Sequence, residues 1–324
     1  MAAIRITRIE ISGYRGIRER LTLDLGGPDR SGVPQFVLAG QNGCGKTSVL
    51  EAVVLALGRE DLLVRDLHKD QRTRHGRTQL PHGAEIRIVL RRGQQEEEFT
   101  LPAGPDRRPP RIEELAYFSS WRAPHLVGSV QPLVRGRRPD DTEANRLWRL
   151  KQRIIDERAK TAFATGQASA DQGLGWLAKV NRAWQRLHGD DSKIVAGLVD
   201  PASQDAYADL FVEKDAHRVC SIDEASSGEI ELLSFAGWIA LTGFEEGLLV
   251  IDEPELHLHP EWQAGILPAL RELAPRAQFL VATHVDAPWN RAHSWERALL
   301  VPPSDPRSAR SREQAREGVR EVDG

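Results

Sequence analysis

The chain has 324 residues, 40% of them hydrophobic and 28% charged, a length that at about 150 residues per domain allows roughly two compact units or one with a large insertion, and that composition excludes disorder as the main state. Its 44 Lys and Arg against 47 Asp and Glu leave a formal net charge of -3, so there is no global basic field for nucleic acid or a membrane surface, and any such site is local. Cys44 and Cys220 cannot form a disulfide framework, MAAIRITRIEISG alternates where a signal peptide needs a continuous apolar stretch, and no apolar run approaches the ~18 residues of a membrane span, so a reducing, cytoplasmic setting is expected.

Residues 4–11 (IRITRIEI) and 20–26 (RLTLDLG) alternate with period two around SGYRGI and predict an antiparallel pair. Residues 36–39 form a short apolar strand that runs through a Gly-rich loop into a helical pattern ending at Gly58. Residues 59–84 read mostly as loop, EIRIVLRR and EEFTL as a strand pair, and QQEEE as the solvated turn between them. A Pro-rich basic connector, GPDRRPPR, precedes LAYFSSW, a buried strand ending near Arg122.

Between 140 and 188 the period changes. Leu147, Leu150 and Ile154, then Leu174, Leu177, Asn181, Trp184 and Leu187, recur at helical spacing and predict a helical lobe inserted in the sheet domain, too short in heptads for a long coiled coil. ADLFVE and HRVCSI follow as strands, EIELLSFAGWIAL as a helix, GLLVIDE as a buried strand, PEWQAGILPALREL as a helix with Pro260 in its first turn, and QFLVATH as another buried strand. Strands alternating with helices imply a parallel core sheet, and the polar tail 303–324 reads as disordered.

Gly40-Gln41-Asn42-Gly43-Cys44-Gly45-Lys46-Thr47 matches GxxxxGK[ST] between an apolar strand and an amphipathic helix, where the chemistry needs it. Glycines let the backbone wrap a phosphate, the helix N-terminus adds its dipole, Lys46 supplies a point charge and Thr47 a hydroxyl for Mg²⁺. Asp252 and Glu253 end the buried strand LLVI with two adjacent carboxylates, which are costly there unless they do chemistry. Asp252 suits Mg²⁺, and Glu253 suits the general base that polarises an attacking water. His284 follows QFLVAT, so the same sheet brings it toward the phosphate end. Ser226-Ser227-Gly228-Glu229 opens a helix and offers a hydroxyl and free N–H groups, which is either a second anion site or an ordinary N-cap.

Together these motifs resemble the ABC-type ATPases of the RecF, SMC-like and OLD group, commonly described as AAA family ATPases. GQNGCGKTS, ending at Ser48, looks like their Walker A, ASSGE like their signature, LLVIDEPELHLHP like their Walker B and D-loop, and VATH like their switch histidine; ITRIEISGYRGI and AYFSSWR look like their opening hairpin and the strand before the lobe. The resemblance covers residues 4 to about 301, with Ala225 and Ser227 departing from the usual signature, and DEPELHLHP departs from the DEPT of transporter ATPases. It implies an α/β P-loop NTPase fold with an ABC-type head: a mixed central sheet with an N-terminal antiparallel part and an inserted lobe, divided as 1–139, 140–190, 191–302 and the tail. It further implies ATP and Mg²⁺ as ligands, Lys46, Glu253 and His284 as catalytic groups, and a homodimer sandwiching ATP between one subunit's 40–48 loop and the partner subunit's residues 226–229. Higher oligomers are compatible with this, and Gln131 is the candidate Q-loop glutamine.

His257 and His259 have HxH spacing but read as D-loop residues in preference to metal ligands beyond Mg²⁺. Basic runs at Arg107, Arg108 and Arg111, at Arg135, Arg137 and Arg138, and at Arg146, Arg149, Lys151 and Arg153 could track a DNA backbone, although acids are interspersed. The leading expectation is an ATPase engine that controls a nuclease or toxin effector supplied by a partner protein, in a DNA-associated or anti-phage defence assembly. The alternative is a nucleotide-gated scaffold or sensor with slow turnover; a transporter ATPase subunit fits less well.

Overall fold

β1 (Ile4–Ser12) and β2 (Leu21–Asp24) form the expected antiparallel pair at the start of a chain whose computed structural model describes residues 3–63, 79–103, 111–120, 146–165, 175–199 and 208–301. β3 (Gln35–Gly40) leads through the Gly-rich loop into α1 (Lys46–Ala56) and the short α2 (Glu60–Leu63). β4 (Glu85–Arg92) and β5 (Gln95–Leu101) pair antiparallel, and β6 (Leu115–Phe118) is buried throughout. Of the run QQEEE only Gln94 is in the turn. Gln95 to Glu98 lie in β5 opposite Val89 to Arg92, and the reversal is made by Gly93 and Gln94. β5 is an edge strand whose first four residues are exposed, so glutamates there cost no burial and discourage pairing with another edge.

α3 (Arg146–Thr165) and α4 (Gly175–His188) fall in the stretch where helical spacing appears, between β6 and a three-stranded antiparallel sheet of β7 (Lys193–Leu198), β8 (Ala208–Lys214) and β9 (His217–Ser221). β7 has no alternating signature of its own. Asn181 of α4 pins it, donating from Nδ2 to the Ile194 carbonyl (3.2 Å) and accepting the Ile194 N–H at Oδ1 (2.8 Å). α5 (Ser227–Thr242) follows, then β10 (Glu246–Asp252), α6 (Pro260–Gln263), α7 (Ile266–Leu273), β11 (Arg276–Thr283), α8 (Asp286–Arg291) and β12 (Arg297–Leu300). The single helix expected from Pro260 onward is thus two pieces, interrupted at Ala264 and Gly265, where the Leu187 side chain of α4 lies against Gly265.

Five strands, in the order β12-β3-β11-β10-β6, make an all-parallel sheet, and the order β2-β1-β4-β5 makes a separate antiparallel one. The parallel sheet is covered on both sides, which is why its strands read as continuous apolar runs. Leu249, Ile251, Phe279 and Val281 face a core built with Leu150 and Ile154 of α3, Leu177 and Trp184 of α4, and Phe235 of α5. Leu248, Val250, Leu280 and Ala282 face the other core, with Val49, Leu50 and Val53 of α1 and Ile4, Ile6 and Ile88 of the antiparallel sheet. A buried glutamine joins the two sheets: Gln278 accepts the Ile6 N–H (2.6 Å) and donates to the carbonyls of Ile6 and Val33 (both 2.9 Å).

Candidate active site

β3 stops at Gly40, where the backbone runs so close to β12 that a Cβ would sit 2.3 Å from the Leu300 carbonyl oxygen. Only glycine fits there. The chain turns through Gln41, Asn42, Gly43 and Cys44 and enters α1 after Gly45, its N-cap, so the unbonded N–H groups of the first turn, which holds Lys46, Thr47 and Ser48, lie at this loop. Lys46, buried along its stem, curls back to donate from Nζ to the carbonyls of Gly40 (2.7 Å) and Gln41 (3.1 Å). That ammonium therefore lies over the loop itself.

The sheet order separates β3 from β10 by β11 alone, and this brings the two motifs into contact: Thr47 Oγ1 donates to Asp252 Oδ2 at 2.8 Å. Asp252 is 1% exposed, and a hydroxyl beside a carboxylate is an oxygen donor set of the kind that suits Mg²⁺. Glu253 leaves the strand with φ 52, a left-handed conformation uncommon for a side chain of its size, and its N–H is anchored on the Ala282 carbonyl (2.8 Å).

His284, 44% exposed in its side chain, places Nδ1 at 3.6 Å from Glu253 Oε1 and 3.2 Å from Glu255 Oε1. Both carboxylates thus lie on the Nδ1 side of the ring, at ion-pair distance. Glu255 is buried and holds the strand end, accepting from Thr283 Oγ1 (2.7 Å) and the His284 N–H (3.1 Å). Sequence reasoning did not single out Glu255. The available signal was a third carboxylate in DEPE, two residues past Glu253, inside a turn closed by Leu256 N–H to Glu253 O and Leu258 N–H to Glu255 O (both 3.0 Å).

Ser226 is the N-cap of α5 in a capping box: its Oγ accepts the Glu229 N–H (3.3 Å), and Glu229 Oε2 accepts the Ser226 N–H (2.7 Å). Ser227 and Gly228 begin the helix, and a Cβ on Gly228 would meet the His257 carbonyl oxygen at 2.8 Å. His188 beside Glu229, aided by the Ser226 bonds and opposed by burial, lowers that carboxyl from 4.5 to about 2. No hydrogen bond or ion pair among the described residues joins 226–229 to the 40–48 loop of the same chain.

Other expected residues have different placements. His257 is exposed at φ 66, and His259 caps α6, accepting the Glu261 N–H at Nδ1 (3.4 Å). Gln131 lies outside the described residues, as do Arg107, Arg108, Arg135, Arg137 and Arg138. The basic run on α3 is not a uniform surface stripe, because Lys151 is fully buried between Asp209 (2.7 Å) and Asp223 (2.8 Å) and Arg153 pairs with Glu157. Arg111 is taken by Glu113 (2.7 Å). Periodicity alone could not tell the buried lysine from its exposed neighbours.

A Gly-rich loop between a parallel strand and a helix, facing an acidic strand end across one intervening strand, defines a P-loop nucleotide-binding protein. The chain belongs to the AAA-domain family, through a profile whose description adds AbiEii toxin and Type IV TA system and which matches residues 122–286; a second AAA-domain profile matches residues 8–161. Septu protein PtuA of Bacillus mycoides (strain KBAB4) is 23% identical over 303 residues, 86% of this chain and 38% of that protein. The Retron Vc95 probable ATPase of Vibrio cholerae serotype O1 biovar El Tor is 34% identical over 95 residues, 25% of this chain and 18% of the relative, and the Retron Ec83 probable ATPase of Escherichia coli is 37% identical over 92 residues, 25% and 17%. The chain thus spans well under half the length of these relatives. Two solved structures are similar at low identity: the Smc head domain with an extended coiled coil bound to the C-terminal domain of ScpA, derived from Pyrococcus furiosus (13% identical, 89% of this chain, 92% of that one, TM-score 0.49), and the SMC head domain from Thermotoga maritima (12%, 89%, 92%, 0.45).

Proposed function

We propose that this chain hydrolyses ATP with Mg²⁺, as an ATP-sandwiched homodimer that controls an effector carried by a partner protein in anti-phage defence. The observation that carries the reading is the convergence of Thr47 and Asp252 at 2.8 Å with Glu253 and His284 at the adjoining strand ends. Residues 40–48 bind the phosphates through backbone N–H groups and Lys46, while Thr47 and Asp252 are the oxygen ligands that would hold Mg²⁺, which when bound neutralises phosphate charge. Glu253 accepts the proton of the attacking water, and His284, oriented by Glu255, leaves Nε2 for the phosphate or that water.

Among the described residues the capping box makes no hydrogen bond or ion pair with the 40–48 loop of its own chain, which supports the use of Ser226 and the first N–H groups of α5 on the nucleotide held by the partner subunit. On this reading the chain divides at 139, 190 and 302, the helical segment being an insertion in the ATPase core. The retron relatives carry the name probable ATPase and the family description names a toxin system, which favours a defence-type ATPase over a transporter role. The slow-turnover sensor is the second reading, favoured by the departures Ala225 and Ser227 in the signature.

The test is Glu253→Gln. ATP binding is expected to persist while kcat falls by about 10²-fold or more, and ATP with Mg²⁺ is expected to trap a dimer in native mass analysis. A variant that stays monomeric at saturating ATP sinks the sandwich, and full turnover removes Glu253 as base.

A further inference from the structure

α4 ends at His188, and the ring there is engaged on every side. It stacks on Trp184 of its own helix (centroids 4.1 Å apart, planes at 17°) and packs against Trp262 of α6 (4.4 Å, 57°). Nδ1 lies 3.0 Å from the Trp184 carbonyl oxygen, and Nε2 lies 3.1 Å from Glu229 Oε1. Both partners carry acceptor oxygens, so each ring nitrogen faces an acceptor.

Glu229 therefore works as a bridge, with Oε1 on His188 and Oε2 on the Ser226 N–H at 2.7 Å. A capping glutamate ordinarily swings with its own helix end. This one is fixed from another element. The same helix end is pressed onto the turn after Glu253, because the His257 carbonyl sits where a Gly228 side chain would be. Trp262 belongs to the helix that follows that turn, so His188 touches both sides of the junction.

We propose that His188 is a positioning residue for the signature: through Glu229 it sets the orientation of Ser226 Oγ and the first N–H groups of α5, and through Trp262 it ties them to the segment after Asp252 and Glu253. The proposal deepens the trans-signature reading above and rests on it for its effect on turnover. The neighbouring charges are otherwise engaged. Glu261 of α6 pairs with His259 (3.7 Å), Glu272 of α7 pairs with Arg186, and Cys220 of β9 has its thiol pushed up by burial first and then by Glu229 and Glu224.

His188→Phe keeps an aromatic ring between the two indoles and removes both donors. Amide exchange across residues 226–230 is expected to accelerate about tenfold or more, reporting the loosened cap directly. In steady state kcat is expected to fall about tenfold or more while KM for ATP stays within about twofold, since the loop that binds ATP is untouched. His188→Gln retains one N–H for Glu229 and is expected to recover most of the lost kcat and protection. Unchanged exchange in a folded His188→Phe overturns the positioning role, and so does an equal loss in the Phe and Gln variants. A wild type that turns over ATP without dimerising overturns the trans-signature reading instead, and the exchange result still decides what His188 does.

Discussion

Glu255 shows what a single residue contributes that its motif does not announce. It is a buried carboxylate bonded to Thr283 Oγ1 and the His284 N–H and faces His284 Nδ1 at 3.2 Å, so it holds the backbone and lies beside the ring of the residue expected to act at the phosphate. Glu255→Gln keeps the shape and removes the charge. Loss of charge-assisted hydrogen bonds worth about 1.5–3 kcal/mol predicts a kcat lower by about 10- to 100-fold with little change in KM. Steady-state kinetics decide it: wild-type turnover in the variant would mean that His284 is placed without Glu255. The contrast with the phosphate loop is instructive. Gly40 to Thr47 is legible because its glycines, Lys46 and Thr47 are set by backbone geometry, charge and chemistry at a local spacing, whereas Glu255 acts on a residue 29 positions away, through a turn that exists only once β10 and β11 lie side by side.

Among elements, the apolar runs of β3, β10 and β11 and the helical spacing of Leu147, Leu150 and Ile154 and of Leu177 and Trp184 state their secondary structure openly, and these five helix residues are core in the fold, whereas Asn181 is partly buried and bonds β7. β7 and β12 do not, because short strands borrow their conformation from the partners they meet: Asn181 pins the first, and β3 pairs with the second. The join between the two sheets was also hidden, since nothing in QFLVAT marks Gln278 as the residue that ties β11 to β1. Gln278→Leu removes three buried bonds and leaves shape nearly constant. It is expected to destabilise the fold by about 2–4 kcal/mol, read as a lower urea midpoint at unchanged slope. A change below about 0.5 kcal/mol would show that the sheets are held by apolar packing alone.

At the scale of the whole molecule, the parallel sheet is shared by both cores; it contains the ends of β10 and β11, and the Gly-rich loop joins its strand β3 to α1, which packs in one of those cores. Ligand bound at that junction favours the folded chain as a unit. ATP with Mg²⁺ at a hundredfold its Kd is expected to stabilise the wild type by about 2.7 kcal/mol, seen as a rise in Tm, and Lys46→Ala is expected to abolish the shift. An equal shift in the variant would place nucleotide binding elsewhere. The described residues also reduce the case for DNA along α3, where Lys151 is consumed in a buried pair with Asp209 and Asp223. Net charge and charge runs describe a composition, and only packing decides which charges reach solvent.

What the amino-acid order determined by itself was the P-loop, the acidic strand end and the alternation of strand and helix, because each is written in local spacing: glycines where the backbone must bend, apolar runs where both faces are covered, carboxylates where a strand ends. What only the tertiary structure decided was which ends meet. The order β12-β3-β11-β10-β6 sets Thr47 on Asp252 and Glu253 beside His284, and the packing of α4 on α5 and α6 sets His188 on Glu229. Contacts between residues tens or hundreds of positions apart depend on strand order and helix docking, and those are settled by burying the whole apolar surface at once.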